Sequence, residues 1–238
     1  MSHALTNSRV LVIGGSSGIG LATAKAAAQA GASVTIASRS QDKLDAAVAA
    51  VGGNTRAAVL DTRDDAAVER FFTGEAPWDH IVVSAAQTPS GPVRTLGLSD
   101  AKAAMESKFW GAYRVAKAAK ISEGGSLTFV SGFLSVRPSA TSVLQGAINA
   151  ALEALARGLA LELAPVRVNA VSPGLIATPL WSGLSEAKRE AMFAGAAQRL
   201  PARRVGQPED IANAILFLAS TSFATGSTVR VDGGGAIA

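Results

Sequence analysis

Val10-Leu-Val-Ile-Gly-Gly-Ser-Ser-Gly-Ile-Gly20 is the stretch that decides the fold of this chain. Arg9 to Ile13 is a short apolar, β-branched run that reads as a buried strand, and the alanine-rich segment from Gly18 to Ala30 reads as a helix. Three spaced glycines, Gly14, Gly18 and Gly20, join the two. Glycine lets the backbone turn sharply and come close to a ligand, while the following helix N-terminus offers unpaired N–H groups and the positive end of its dipole. That combination holds a pyrophosphate, so Gly14, Ser16, Ser17, Gly18, Ile19 and Gly20 are candidate dinucleotide contacts. A merely structural turn is the competing reading. The strand before the glycines, the helix after them and their place in the first βα unit favour the ligand.

The same alternation continues outward. Strands are expected at Arg9 to Ile13, Ser33 to Ala37, Thr55 to Leu60, His80 to Val83, Ser126 to Val130, Val166 to Val171 and Thr228 to Val231. Helices are expected at Gly18 to Ala30, Gln41 to Val51, Asp64 to Phe72, Ser99 to Lys120, Thr141 to Leu163, Ser185 to Gln198 and Pro208 to Ala219. Apolar strands alternating with helices predict an α/β architecture: a single Rossmann-type doubly wound domain over 1–238, with a seven-stranded parallel sheet and helices on both faces. The segment at about 173–200 reads as the substrate loop.

The chain has 238 residues, 48% hydrophobic and 17% charged, enough apolar material for one domain core. A mean hydropathy of +0.28 owes much to alanine, and the long apolar stretches carry charges, as Ala151 to Ala164 does at Glu153, Arg157 and Glu162. No membrane span is expected. Met1 to Arg9 has the character of neither a signal nor a transit peptide, so a cytoplasmic location is the expectation. The absence of cysteine excludes disulfides and thiolate chemistry, and with His3 and His80 as the two imidazoles no metal site is expected. The formal charge of +4 comes from scattered Lys and Arg with few aromatics, which argues against nucleic acid and for a small-molecule substrate.

The second strand ends in Ile36-Ala-Ser-Arg39. A carboxylate at that end would hydrogen-bond the adenosine ribose of NAD; Ser38 and Arg39 stand there instead, and arginine grips a 2′-phosphate where an acid would repel it. NADP(H) is therefore favoured over NAD(H). A solvated helix-start arginine is the other reading of Arg39.

These residues resemble the short-chain dehydrogenase/reductase family over essentially the whole chain. Its glycine signature, Thr-Gly-x-x-x-Gly-x-Gly, is matched from Gly14 with Ile13 in the threonine's place. Asp61, with Thr62 beside it, matches the adenine-contacting aspartate. Ser84, Ala85, Ala86 and Gln87 stand where the family has Asn-Asn-Ala-Gly. Ser172-Pro-Gly-Leu-Ile-Ala-Thr178 matches the segment that holds the nicotinamide amide, which implies cofactor contacts at Pro173, Gly174, Ile176 and Thr178. The tail from Gly226 to Gly234 matches the C-terminal signature. The resemblance implies an oxidoreductase acting on a small carbonyl or alcohol. It also implies a homo-oligomer, tetramer or dimer, assembled partly through the fourth and fifth helices, where Ala147, Ala150, Ala151 and Ala154 permit close approach.

The chemical half departs from the pattern. Ser131 matches the family's catalytic serine, but the Tyr-x-x-x-Lys motif that follows it is absent; counting forward places Leu144 and Ile148 at its two positions. The family's fourth-helix asparagine aligns with Lys108. Loss of a positioned proton donor costs about 10²- to 10⁴-fold in rate. Lys108 beside apolar Leu144 and Ile148 would have a lowered pKa, and it is the candidate to supply the charge and the proton, with Ser131 and Gln87 orienting the substrate. An exposed helix lysine is the alternative reading. Tyr113, the single tyrosine, reads as packing or oligomer contact. Arg137, Trp110 and Trp181 are expected to border the cleft, with Leu180 and Trp181 on a mobile lid. Two functions compete with an atypical oxidoreductase: an NADP-binding sensor or partner subunit without redox turnover, and a non-redox enzyme reusing the pocket.

Overall fold

The computed structural model describes residues 5–238, and His3 lies outside them. β1 (Arg9–Ile13), β2 (Ser33–Ser38), β3 (Arg56–Val59), β4 (Trp78–Val83), β5 (Ile121–Val130), β6 (Arg167–Pro173) and β7 (Thr228–Val231) form one sheet. Every pairing is parallel, in the order β3-β2-β1-β4-β5-β6-β7. The doubly wound α/β class expected from the sequence is the one observed. The order reverses between β1 and β4, which is where such sheets open a ligand crevice at their carboxyl edge.

Residues of β1 alternate between the two faces. Val10 and Val12 join the core beneath α1 (Gly18–Gln29), α2 (Gln41–Val51) and α8 (Pro208–Ser220), with Ile36, Leu44 and Ile215. Leu11 and Ile13 join the core beneath α3 (Asp65–Thr73), α5 (Gly111–Ala118) and α6 (Val143–Glu162), with Phe72, Val115 and Leu152. A strand buried on both faces has no polar side chain to spare, which is why β1 reads as an unbroken apolar run.

Two elements differ from the sequence expectation by more than two residues; the others, α7 (Glu186–Arg199) among them, agree within that margin. The fourth helix, expected as one piece from Ser99 to Lys120, is α4 (Leu98–Met105), a wide π turn over Glu106–Trp110 and then α5. The inserted residue re-aims the side chains of the turn, and Gly111 just after it lies so close to Thr62 that a Cβ would sit 2.7 Å from Thr62 Oγ1. β5 starts at Ile121 instead of Ser126. Ile121 pairs with Trp78 and Ser126 with His80, and the surplus residues bulge through Gly124 in the left-handed region at φ 74°.

At the opposite edge, Arg167 at the start of β6 is 6% exposed. Its guanidinium donates to the carbonyls of Leu218 at 2.5 Å, Ala219 at 2.7 Å and Thr221 at 3.0 Å, closing the C-terminal end of α8. Arg167→Leu leaves those carbonyls buried without donors and is expected to lower the unfolding free energy by about 2–4 kcal/mol, read from the urea midpoint at unchanged slope.

Candidate active site

A cleft of about 1250 Å³ runs along the carboxyl ends of the strands. Its first wall is the glycine turn. Gly14 has φ 86°, and a Cβ there would lie 2.5 Å from Ala85 N, so the turn packs directly on the chain leaving β4. Gly18, at φ 52°, leaves room for Thr178 to approach the place of its missing Cβ to 3.4 Å. The first turn of α1 carries no acid, and its N-cap Ser17 makes no side-chain capping bond. Ser16, Ser17, Gly18 and Ile19 line the cleft there, so backbone donors and the positive end of the α1 dipole face it. That arrangement has the chemistry to cradle a pyrophosphate. Gly20 does not line it: a Cβ there would overlap the Gly14 carbonyl oxygen, so Gly20 is a packing residue that lets α1 close on β1. Each of the other expected cofactor positions lines the cleft.

At the end beyond β2 no carboxylate stands at the strand terminus; Ser38, Arg39, Ser40 and Lys43 line it. Lys43 and Ser40 were not singled out in the sequence, though a lysine four residues after Arg39, on the first turn of a helix, is a visible signal. Asp61 is held by Arg63 at 2.6 Å, which keeps its carboxyl below the usual range. Gln87 departs from expectation. Its Oε1 accepts from Arg39 Nη2 at 3.3 Å and its backbone N donates to Ser107 Oγ, so its side chain is turned toward the cationic end and away from Ser131.

The π turn drops Lys108 into the floor at the other end. Its Nζ donates to the Ser131 carbonyl at 2.7 Å and to Asn149 Oδ1 at 2.6 Å. Burial pushes the ammonium down to about 8, and the charge of Glu153 partly offsets that. Ser131 Oγ in turn donates to Glu153 Oε1 at 2.8 Å, and Ser135 Oγ to the same oxygen at 2.7 Å. Lys108 is therefore not an exposed helix lysine.

α6 meets this floor with Gln145 and Asn149, not with Leu144 and Ile148. Ile148 is wholly buried in the core, one residue out of phase with the cleft. Gln145 Nε2 donates to Thr88 Oγ1 at 2.9 Å, spanning the cleft wall. Asn149, Glu153 and Gln145 are site residues that sequence reasoning missed. Their signal was their spacing of four, a polar stripe along a helix otherwise built of alanine and leucine. Tyr113 and Lys117 have a Tyr-x-x-x-Lys spacing of their own, but they lie on α5 outside the cleft lining, with Tyr113 packed edge-on against Trp110 at 5.6 Å. Trp110, expected at the cleft border, belongs to that outer cluster. Arg137, Leu180 and Trp181 do line the outer cleft, and Trp181 Nε1 donates to the Ile176 carbonyl at 2.9 Å. His80 is buried in β4 against Ser126 Oγ. Among the described residues no cluster of His, Asp or Glu could hold a metal ion, and no helix is long and apolar enough to cross a membrane.

A family model described as enoyl-(acyl carrier protein) reductase matches residues 14–235. A short-chain dehydrogenase/reductase of Stachybotrys chlorohalonatus is 35% identical, over 94% of this chain and 95% of its own length. This chain belongs to the short-chain dehydrogenase/reductase family. Another family member, from an Acremonium species, is 31% identical over 96% of this chain and 95% of its own length. A solved small-chain dehydrogenase in complex with NADPH is 36% identical, covers 98% of this chain and 100% of its own, and superposes with a TM-score of 0.86. As a family member the protein is an oxidoreductase. The dehydrogenase/reductase turn gives a direct test: Gly14→Ala combines a left-handed backbone with a 2.5 Å overlap on Ala85 N. It is expected to cost about 1–3 kcal/mol of stability in chemical denaturation.

Proposed function

We propose that the protein is an NADP(H)-dependent oxidoreductase of a small carbonyl or alcohol, in which Lys108 takes the proton-donating part that a tyrosine has elsewhere in the family. The observation that carries this reading is the Lys108 ammonium, held at the cleft floor by Ser131 O and Asn149 Oδ1. When bound, NADPH supplies the hydride. The N-terminal N–H groups of α1 would hold the pyrophosphate, Ser38, Arg39, Ser40 and Lys43 would take the 2′-phosphate, and the segment from Pro173 to Thr178 would orient the carboxamide. The NADPH complex of the 36% identical dehydrogenase supports this choice of dinucleotide.

Two of the three N–H bonds of Lys108 are taken by its holders, and the third is available to a substrate oxygen in the cleft. As the carbonyl carbon is reduced, Nζ gives its proton to that oxygen and is reprotonated from water. Gln145 gives both Nε2 hydrogens to Thr88, one to its carbonyl and one to Oγ1, and has no proton to transfer. A lysine acid with a pKa near 8 works at neutral pH, where the correct protonation state and the tendency to transfer are both high.

A homo-oligomer, dimer or tetramer, is part of the same reading. Exposed Ala147, Ala150 and Ala154 on α6, and half-exposed Trp110 and Tyr113 at the fourth helix, support a helix-to-helix contact with a second copy. We place the protein in the cytoplasm, as its lack of cysteine allows.

The test is nicotinamide absorbance with a panel of ketones, quinones and imines, alongside dinucleotide affinity by calorimetry. Lys108→Met is expected to lower kcat by about 10²- to 10⁴-fold with NADPH affinity unchanged, and unchanged turnover would overturn the assignment. The reduction needs the ammonium, so its rate should be full below pH 8 and fall as pH rises through about 8. Oxidation of the alcohol, which needs the free amine, should show the opposite limb. Arg39→Asp is expected to weaken NADPH roughly tenfold or more while sparing NADH.

A further inference from the structure

Glu153 has no part in the mechanism above, yet it is a carboxylate only 8% exposed at the back of the catalytic floor. One of its oxygens collects two hydroxyl hydrogens, from Ser131 Oγ at 2.8 Å and Ser135 Oγ at 2.7 Å. The second acceptor near Ser131 Oγ is the Val171 carbonyl at 3.2 Å, also behind the floor. A hydroxyl has a single hydrogen, so Ser131 directs it inward and presents lone pairs to the cleft. Lys108 stands in front of the same carboxylate, held by the backbone of Ser131 and by Asn149, the residue one helical turn before Glu153 on the same face of α6.

We propose that Glu153 is a positioning residue of the reaction: it takes the hydrogen of Ser131 and sets a negative charge behind Lys108, so that the reacting oxygen meets one proton donor, Lys108, and one acceptor, Ser131 Oγ. This rests on the reading of Lys108 as the donor. In the reductive direction the proton passes from Nζ to the substrate oxygen as the carbonyl π bond is replaced by a C–H bond, and the new hydroxyl then donates to Ser131 Oγ. In the oxidative direction the alcohol O–H, aligned first on Ser131 Oγ, turns to Nζ and gives its proton to the neutral amine as the carbinol C–H hydrogen leaves as hydride to the oxidised dinucleotide.

The elements packed around Lys108 present few groups to it. β5 and the chain just after it present the carbonyl of Ser131 and, behind it, Ser135; α6 presents Asn149 and Glu153; the π turn's own acid, Glu106, is paired with Arg114. Among the described residues Glu153 is the one charge acting on Lys108, which opposes the effect of burial.

The experiment titrates the whole chain labelled with [13C]lysine, following the Lys108 Cε resonance, assigned by its loss in Lys108→Met, in the wild type and in Glu153→Gln. Glutamine keeps an acceptor oxygen for the serines and removes the charge, an NH2 donor taking the place of the second oxygen. The expected result is a Lys108 midpoint near pH 8 in the wild type that falls by about one unit or more in Glu153→Gln, with the descending limb of kcat/KM for carbonyl reduction moving by the same amount. An unmoved Lys108 midpoint would overturn the proposal. A midpoint that moves while the kinetic limb does not would instead remove Lys108 as the donor, and with it the reading on which the proposal rests. Should Glu153→Gln not fold, Glu153→Asp retracts the charge by one methylene, and a smaller downward shift is expected, an unmoved midpoint again counting against it.

Discussion

An ammonium cannot be sunk beside a buried sheet unless oxygen atoms are already waiting for it, and the floor of the cleft is arranged around that constraint. The Ser131 carbonyl and Asn149 Oδ1 receive the Lys108 hydrogens, and Glu153 stands behind them as counter-charge. Removing any one of these would leave a desolvated charge or an unpaired carbonyl, which is the costly arrangement in a low-dielectric floor. The π turn belongs to the same logic. One extra residue in the fourth helix rotates Lys108 toward the cleft, and the close packing of Gly111 on Thr62 holds the turn there.

The family resemblance puts an asparagine on the fourth helix and a lysine on the fifth. Here Lys108 is on the π turn of the fourth helix and Asn149 on α6, and the two are hydrogen-bonded directly. The pairing of an ammonium with an amide has survived an exchange of helices. What does not survive is the tyrosine, since the chain's single one lies on the outer side of α5. On the proposed reading the proton comes from a group that is charged in its resting state, and burial brings such a group toward the working range by making the neutral amine less costly.

The dinucleotide half follows a different principle. Around the pyrophosphate it uses almost no side-chain chemistry: absent Cβ atoms at Gly14 and Gly18 and open N–H groups at the start of α1. Backbone geometry of this kind is insensitive to the substitutions that reshaped the floor, so one cleft can keep a strict cofactor cradle beside an altered catalytic set.

The architecture and the cradle were legible from the sequence because both rest on local patterns: apolar runs of strand length, helices between them, and glycines spaced so that a turn joins strand to helix. Asp61, Arg39 and the segment from Pro173 to Thr178 could be placed because they follow strand ends, and parallel strands deliver their carboxyl ends to one edge. Side-chain direction in the floor belonged to the tertiary structure. A helix turns about 100° per residue, so an error of one residue across the loop from Ser131 to α6 exchanges Ile148 for Asn149 and core for cleft. The π turn, the inward course of Glu153 and the swing of Gln87 toward Arg39 arise from contacts between segments more than twenty residues apart, or from a single inserted residue, and no local period records either.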